Sequence, residues 1–226
     1  MSPDGKRVAV NTDDGKEAIV WIYDVSGVTA IRRVTFGGNN RFPIWTADGK
    51  RIVFQSDRDN DRSIFWQDAD GIAPAERLTA AGAGESHVPE SWSPLGDTLL
   101  FTVSKGVDMS LWMLSVREGR IVPFDSVHSS SPTNAVFSPN GRWVAYAATE
   151  RSKTTVYVQP VPPTGAKYEV FASPTDNPHH PMWSPDGREL FVDPRAGGFV
   201  AIPVTTTPTF AFGNPVELSS AVHVQR

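Results

Sequence analysis

The 226-residue chain is 39% apolar and 20% charged, has a net charge of −4 and contains no cysteine. Its bulk charge implies no polyanionic partner, and the lack of thiols excludes disulfides, thiolate metal sites and cysteine nucleophiles. No run of about 18 apolar residues is present to insert into a membrane, and 19 prolines and 18 glycines spread along the chain favour short strands over long helices.

The chain opens on Ser2-Pro3-Asp4-Gly5, a tetrapeptide that makes a tight turn. Proline presets φ, the Asp side chain bonds backbone two residues on, and Gly accepts positive φ. An alternating run at 6–10 leaves the turn. A polar loop at 12–16, a strand at 18–24 and a third strand at 32–36 follow. The turn then recurs as Thr46-Ala47-Asp48-Gly49, Ser93-Pro94-Leu95-Gly96, Ser138-Pro139-Asn140-Gly141 and Ser184-Pro185-Asp186-Gly187. Its second positions are 3, 47, 94, 139 and 185, giving spacings of 44, 47, 45 and 46. A period in this range marks a repeat architecture.

Every later unit repeats one order: a strand ending on an aromatic (Trp45, Trp92, Phe137, Trp183), the turn, then three more strands. Four short strands per unit of about 45 residues predict an all-β fold, a β-propeller of about five four-stranded blades. The blades are expected at about 1–36, 40–80, 86–124, 132–171 and 178–218 of a single propeller domain. The junction aromatics are expected to fill the space between blades, and Trp66 and Trp112, on third strands, read as core. The first unit lacks its leading strand, while the tail 221–226 alternates like one. We therefore expect 219–226 to complete blade one. The rival expectation is a five-repeat excerpt of a larger propeller.

The motif x-Pro-x-Trp-Ser-Pro-Asp-Gly, followed by a β-rich strand, an acidic loop, Asp-x-Asp-Gly and Arg-Leu-Thr, resembles the TolB-type Pro-Asp-Gly propeller family, most closely over 42–79. Ala47, Leu95 with Asp97 displaced, and Asn140 depart from the pattern. The resemblance covers nearly the whole chain and implies the fold. For function it implies several classes: periplasmic interaction propellers, sensor regions, gating propellers of peptidases, and oligogalacturonate lyases, which hold a metal with channel histidines and a glutamine. By that resemblance a periplasmic or extracellular location is favoured; no leader pattern of basic then apolar residues stands at the N-terminus.

The strand before the turn is expected to line the axial channel. Counting four residues back from the aromatics gives Arg41, Val88, Thr133 and His179, with His180 and His87 one residue away on either side of that register. His223 falls in the same register if the tail joins blade one, and Gln225 follows it. Ligand binding at the channel mouth is thus expected at Arg41, His87, His179, His180, His223 and Gln225. The imidazoles of His87, His179, His180 and His223 are the candidate ligands of a divalent metal ion: Mn, Zn or Ca. An anionic small molecule would suit Arg41.

The acidic run Asp57-Arg58-Asp59-Asn60-Asp61 lacks the Gly and Glu of a calcium loop and reads as a solvated connection. No Gly-x-Ser-x-Gly elbow, phosphate loop or basic stripe occurs, which excludes a serine hydrolase of that type and gives no basis for a nucleic acid partner. Glu90 is the main carboxylate of the leading strands. The leading expectation is a non-catalytic, monomeric module binding a protein partner or a small anionic ligand. The alternative is a metal-dependent enzyme acting on an anionic sugar.

Overall fold

The computed structural model describes residues 1–173, 177–195 and 198–218; the tail strand expected at 219–226, with His223 and Gln225, lies outside the described residues. No helix occurs among the described residues. The strands are β1 Arg7–Asp13, β2 Ala18–Asp24 and β3 Arg32–Arg33 (sheet I); β4 Asn40–Trp45, β5 Arg51–Ser56, β6 Ser63–Asp68 and β7 Glu76–Arg77 (sheet II); and β8 Glu85–Trp92, β9 Thr98–Lys105, β10 Asp108–Ser115 and β11 Arg120–Ser129 (sheet III). Sheet IV holds β12 Val136–Phe137, β13 Trp143–Glu150, β14 Lys153–Pro160 and β15 Tyr168–Ala172. Sheet V holds β16 His179–Trp183, β17 Glu189–Arg195, β18 Gly198–Thr205, β19 Ala211–Phe212 and β20 Val216–Leu218. Each sheet follows chain order as an antiparallel meander, except that β19 and β20 both pair with β18. The short β19 lies in the long connection for which no strand is expected from sequence. Strand β11 runs on to Ser129 because Phe124, Val127 and Ser129 are all buried along it.

The repeated turn owes its shape to one clamp. The hydroxyls of Ser2, Thr46, Ser138 and Ser184 donate to Asp4, Asp48, Asn140 and Asp186 at 2.6, 2.6, 2.8 and 2.7 Å. Each hydroxyl also accepts the backbone N–H five residues on: Arg7, Arg51, Trp143 and Glu189 at 2.9, 3.1, 3.0 and 2.9 Å. Gly5, Gly49, Gly141 and Gly187 close these turns at φ between +65° and +69°, where a Cβ would be strained. The hydroxyl donor is the largest cause holding the carboxyls of Asp4, Asp48 and Asp186 below their usual range. The third turn departs from this pattern. Leu95 replaces the acceptor, Ser93 Oγ accepts from Leu95 N at 3.3 Å, and Asp97 instead accepts from Arg117 N at 3.1 Å.

The chain divides into two compact units: Met1–Val107 with Trp112–Val122, and Asp108–Leu111 with Pro123–Arg226. In the first unit the faces of β5 are both covered. Ile52 and Phe54 pack with Val20, Ile22 and Val34 of the sheet I region, while Val53 packs with Leu99, Phe101 and Leu114 of sheet III. In the second unit Trp143, Ala145 and Ala147 of β13 pack with Trp183, Leu190, Val192 and Ile202 of sheet V. Tyr146, on the other face of β13, meets Phe124 edge-on at 6.5 Å between ring centroids. A meander sheet with two apolar faces is stable only with neighbours on both, as in repeat architectures.

The junction aromatics Trp45, Phe137 and Trp183 are buried. Trp183 Nε1 donates to the carbonyl of Val136 in sheet IV at 3.2 Å. Trp45 Nε1, equally enclosed, has no hydrogen-bond partner among the described residues. In sheet I, which contains only β1, β2 and β3 among the described residues, no leading strand stands where β12 supplies the Val136 carbonyl to Trp183.

Candidate functional site

The leading strand of sheet V gathers the candidate chemistry of the second unit. Strand β16 pairs His179 with Asp193 of β17, then resumes at Met182 with Phe191, with a bulge between. Successive strand residues ordinarily point to opposite faces. Here His180 sits at φ +47°, a left-handed conformation uncommon for a residue with a Cβ. The bulge turns its ring toward that of His179, and the centroids lie 4.6 Å apart at 50°. Phe42 and Asn134, also three residues before their aromatics, have φ of +55° and +47°. The kink thus recurs in the repeats of sheets II, IV and V, though not at Pro89 of sheet III, and what distinguishes sheet V is the pair of histidines placed on it.

His179 Nδ1 lies 2.7 Å from the carbonyl oxygen of Asn177. A carbonyl only accepts, so the proton resides on Nδ1 and leaves the Nε2 lone pair free. That Nε2 is 3.9 Å from Asp193 Oδ2. Asp193 Oδ1 is enclosed and has no hydrogen-bond partner among the described residues. One donor atom each from His179, His180 and Asp193 fall within 4.8 Å of one another. His180 is exposed by accessible area, yet the protein packed behind its ring pushes its pKa down, with His179 adding to the shift and Asp193 opposing it. Three groups able to donate to one small cation therefore meet on a single sheet.

The other expected residues are placed differently. In the first unit His87, 6% exposed, faces Thr79 Oγ1 through Nδ1 at 2.9 Å and packs on Phe101 with centroids 5.3 Å apart. Burial lowers its pKa, Arg77 adds to the shift, and Glu85 and Asp61 oppose it. Arg41 is engaged by Asp13, with Nη2 2.7 Å and Nε 2.8 Å from the same carboxylate oxygen. Glu90 accepts from the Thr102 hydroxyl at 2.6 Å. In the acidic loop, Asp57 accepts from Asn39 N at 2.7 Å, and Arg77 pairs with both Asp59 and Asp61.

A second feature lies between sheets II and III, inside the first unit. Trp66 and Trp92 stack at 6.1 Å and 26° along the wall of an open cleft of about 600 Å³. Both indoles are half-buried: like Trp112, they pack against the core of Val53, Leu99 and Phe101, as expected for Trp66 and Trp112, and the other part of the Trp66 and Trp92 rings lines the cleft. Each N–H is committed internally: Trp66 Nε1 donates to Glu76 at 2.9 Å and Trp92 Nε1 to the Gly96 carbonyl at 2.7 Å. Arg51 lies over Trp66 at 4.0 Å from the ring centroid and pairs with Asp68 at 3.0 Å. Leu95, 71% exposed, stands on the rim.

Two residues of these sites are not reached by counting along leading strands. Asp193 sits ten residues after its junction aromatic, the position held by Gln55, Thr102 and Ala147 in the other repeats. Leu95 is the residue that interrupts the turn consensus. An odd carboxylate at a repeated position and a broken consensus were the available signals.

No protein-family model and no curated protein sequence matches the chain. Solved structures do. TolB from Acinetobacter baumannii superposes with a TM-score of 0.73 at 19% identity, over 94% of this chain and 52% of that one. A putative TolB from Agrobacterium tumefaciens gives 0.72 at 15% identity, over 96% and 77%. An oligogalacturonate lyase in complex with manganese gives 0.56 at 13% identity, over 88% and 53%. The chain has a TolB-type β-propeller fold and spans about half the length of the Acinetobacter protein.

Proposed function

We propose that the chain is a non-catalytic binding module of the TolB type that engages a protein partner at the Trp66–Trp92 cleft. The observation that carries this reading is the cleft's anatomy. Two stacked, half-buried indoles line the wall, one of them capped by Arg51, their N–H groups are already satisfied, and Leu95 projects from the rim. Half-buried aromatics beside an exposed aliphatic side chain and a polar border are the composition of an interface anchor. The border carries both signs, Asp48, Asp68 and Asp97 with Lys50 and Arg51, so the partner segment is expected to be an apolar one flanked by polar or mixed-charge residues. The likeness to TolB structures supports the fold on which this reading stands. Replacing Leu95 by a photo-crosslinking amino acid should capture a discrete partner from extracts of the source organism. The same group at Val28, 85% exposed outside this cleft, should not capture it. Identical products from both positions would overturn the reading.

A metal-dependent enzyme acting on an anionic sugar is the second reading. The His179–His180–Asp193 group and the likeness to a lyase solved with manganese favour it. Incubation with oligogalacturonate and manganese tests it: sustained release of unsaturated product that is lost in His179→Ala supports turnover, and none excludes this substrate.

A further inference from the structure

We propose that His179, His180 and Asp193 form a mononuclear site for a divalent transition metal, assembled within sheet V alone. The site requires neither the histidines of other repeats nor the residues of the tail, and it rests neither on partner binding at the tryptophan cleft nor on turnover.

Four observations converge on it. The repeat's backbone kink places two consecutive imidazoles side by side, where ordinary strand alternation would separate them. The tautomer of His179 is fixed with Nε2 free, because Nδ1–H donates to the Asn177 carbonyl. This outer hydrogen bond is the arrangement that orients metal-ligating histidines. It is itself anchored, since Asn177 N donates to the Pro194 carbonyl at 3.1 Å, next to Asp193. Finally, Asp193 Oδ2 faces His179 Nε2 at 3.9 Å, while Oδ1 of the same carboxylate is enclosed and has no hydrogen-bond partner among the described residues, so no described contact opposes turning the carboxylate toward a cation.

The distances suit a small ion after modest rearrangement. Donors of a tetrahedral zinc site are about 3.4 Å apart, given bond lengths of about 2.0–2.1 Å. His179 Nε2 and Asp193 Oδ2 stand at 3.9 Å, so rotation of the carboxylate and a small tilt of one ring would bring both into range. Two imidazoles and one carboxylate select the zinc, nickel and cobalt group over calcium or magnesium, which need more oxygen ligands. Two neutral imidazoles and one carboxylate leave a divalent ion with a net positive charge. Three protein ligands also leave a coordination position, so water or an anion would complete the shell.

The test uses tag-free protein stripped with a chelator and then dialysed. Titration with zinc chloride by calorimetry should show one ion per chain. Cobalt(II) should develop d–d absorption bands that zinc abolishes. His179→Ala, His180→Ala and Asp193→Asn should each weaken zinc binding at least tenfold, whereas His128→Ala, at an exposed histidine of β11, should leave it unchanged. Circular dichroism of the metal-free variants checks folding, and zinc should raise the melting temperature of the wild type but not of Asp193→Asn. Absence of saturable binding up to millimolar zinc would overturn the site. So would binding that persists in folded His179→Ala and Asp193→Asn, or binding that His128→Ala abolishes.

Discussion

Replacing Ser138 by alanine should cost about 2–3 kcal/mol, while the same change at Ser93 should cost less than about 1 kcal/mol. Both serines occupy the first position of a repeated turn, and both are buried. Ser138 Oγ accepts from Trp143 N at 3.0 Å and donates to Asn140 at 2.8 Å. Its removal strands the buried Trp143 N–H, at about 1–3 kcal/mol. The lost bond to Asn140 adds about 0.5–1 kcal/mol, softened because Asn140 Oδ1 keeps the Arg142 N–H at 3.1 Å. Ser93 Oγ receives only a long bond from Leu95 N, at 3.3 Å. Equilibrium urea denaturation, followed by both tryptophan fluorescence and far-ultraviolet circular dichroism, gives the two values. In a thermal scan Ser138→Ala should melt about 4–10 °C lower. A Ser138→Ala protein within 0.5 kcal/mol of wild type, or equal losses at the two positions, would refute the clamp as the source of the turn's stability.

Trp45→Phe should cost clearly less than Trp183→Phe, since the enclosed N–H it removes has no acceptor among the described residues and the loss is confined to ring volume and the Arg7 contact. Trp183→Phe should cost about 1–2 kcal/mol by removing the donor to Val136; denaturation midpoints of the two variants should therefore move by clearly different amounts. For His87 the sign follows from burial of the neutral ring. Its folded pKa is depressed, so the unfolded chain binds the extra proton first, and stability is complete above the ordinary histidine value of about 6.5 and declines as pH falls through the folded pKa. Stability measured from pH 8 to 4.5 should slope by up to about 1.4 kcal/mol per pH unit from this group, and His87→Gln should flatten that component; an unchanged slope would contradict it.

The repeat, the strand order and the turn's Asx and glycine were legible in the amino-acid sequence, because those residues at fixed offsets admit few backbone solutions; the hydroxyl that clamps the turn to the N–H five residues on was not, since its partner lies beyond the turn itself. The histidine pair was half legible. Counting back from Trp183 finds His179 and His180, but strand parity would place their rings on opposite faces. Only the left-handed φ at His180 brings them together, and no side-chain pattern announces such a kink. Asp193 was missed because the count followed leading strands, whereas the ligand set crosses to the adjacent strand. Trp66 was assigned to the core by its place on a third strand. It does pack against the core of Val53, Leu99 and Phe101, but as a half-buried residue whose ring also lines the cleft opposite Leu95.

The burial of β5 on both faces has a consequence for how the sheets keep their alignment. In a sheet with one wet face, a one-residue slip exposes the apolar set and is rejected by solvation. In β5 the residues Ile52, Val53 and Phe54 are all fully enclosed, so a slip would merely exchange one buried side chain for another. Hydrophobicity cannot tell the two alignments apart, and the remaining discrimination is steric: Phe54 for Val53. The Thr46 hydroxyl, bound to the N–H five residues on, supplies what solvation cannot. It measures a fixed length of chain from Trp45 to Arg51, and so sets the reading frame in which Trp45 meets Ile52. The four clamped turns thus act as rulers, and a single residue inserted between Thr46 and Arg51 would misalign a whole sheet without changing how greasy any strand is.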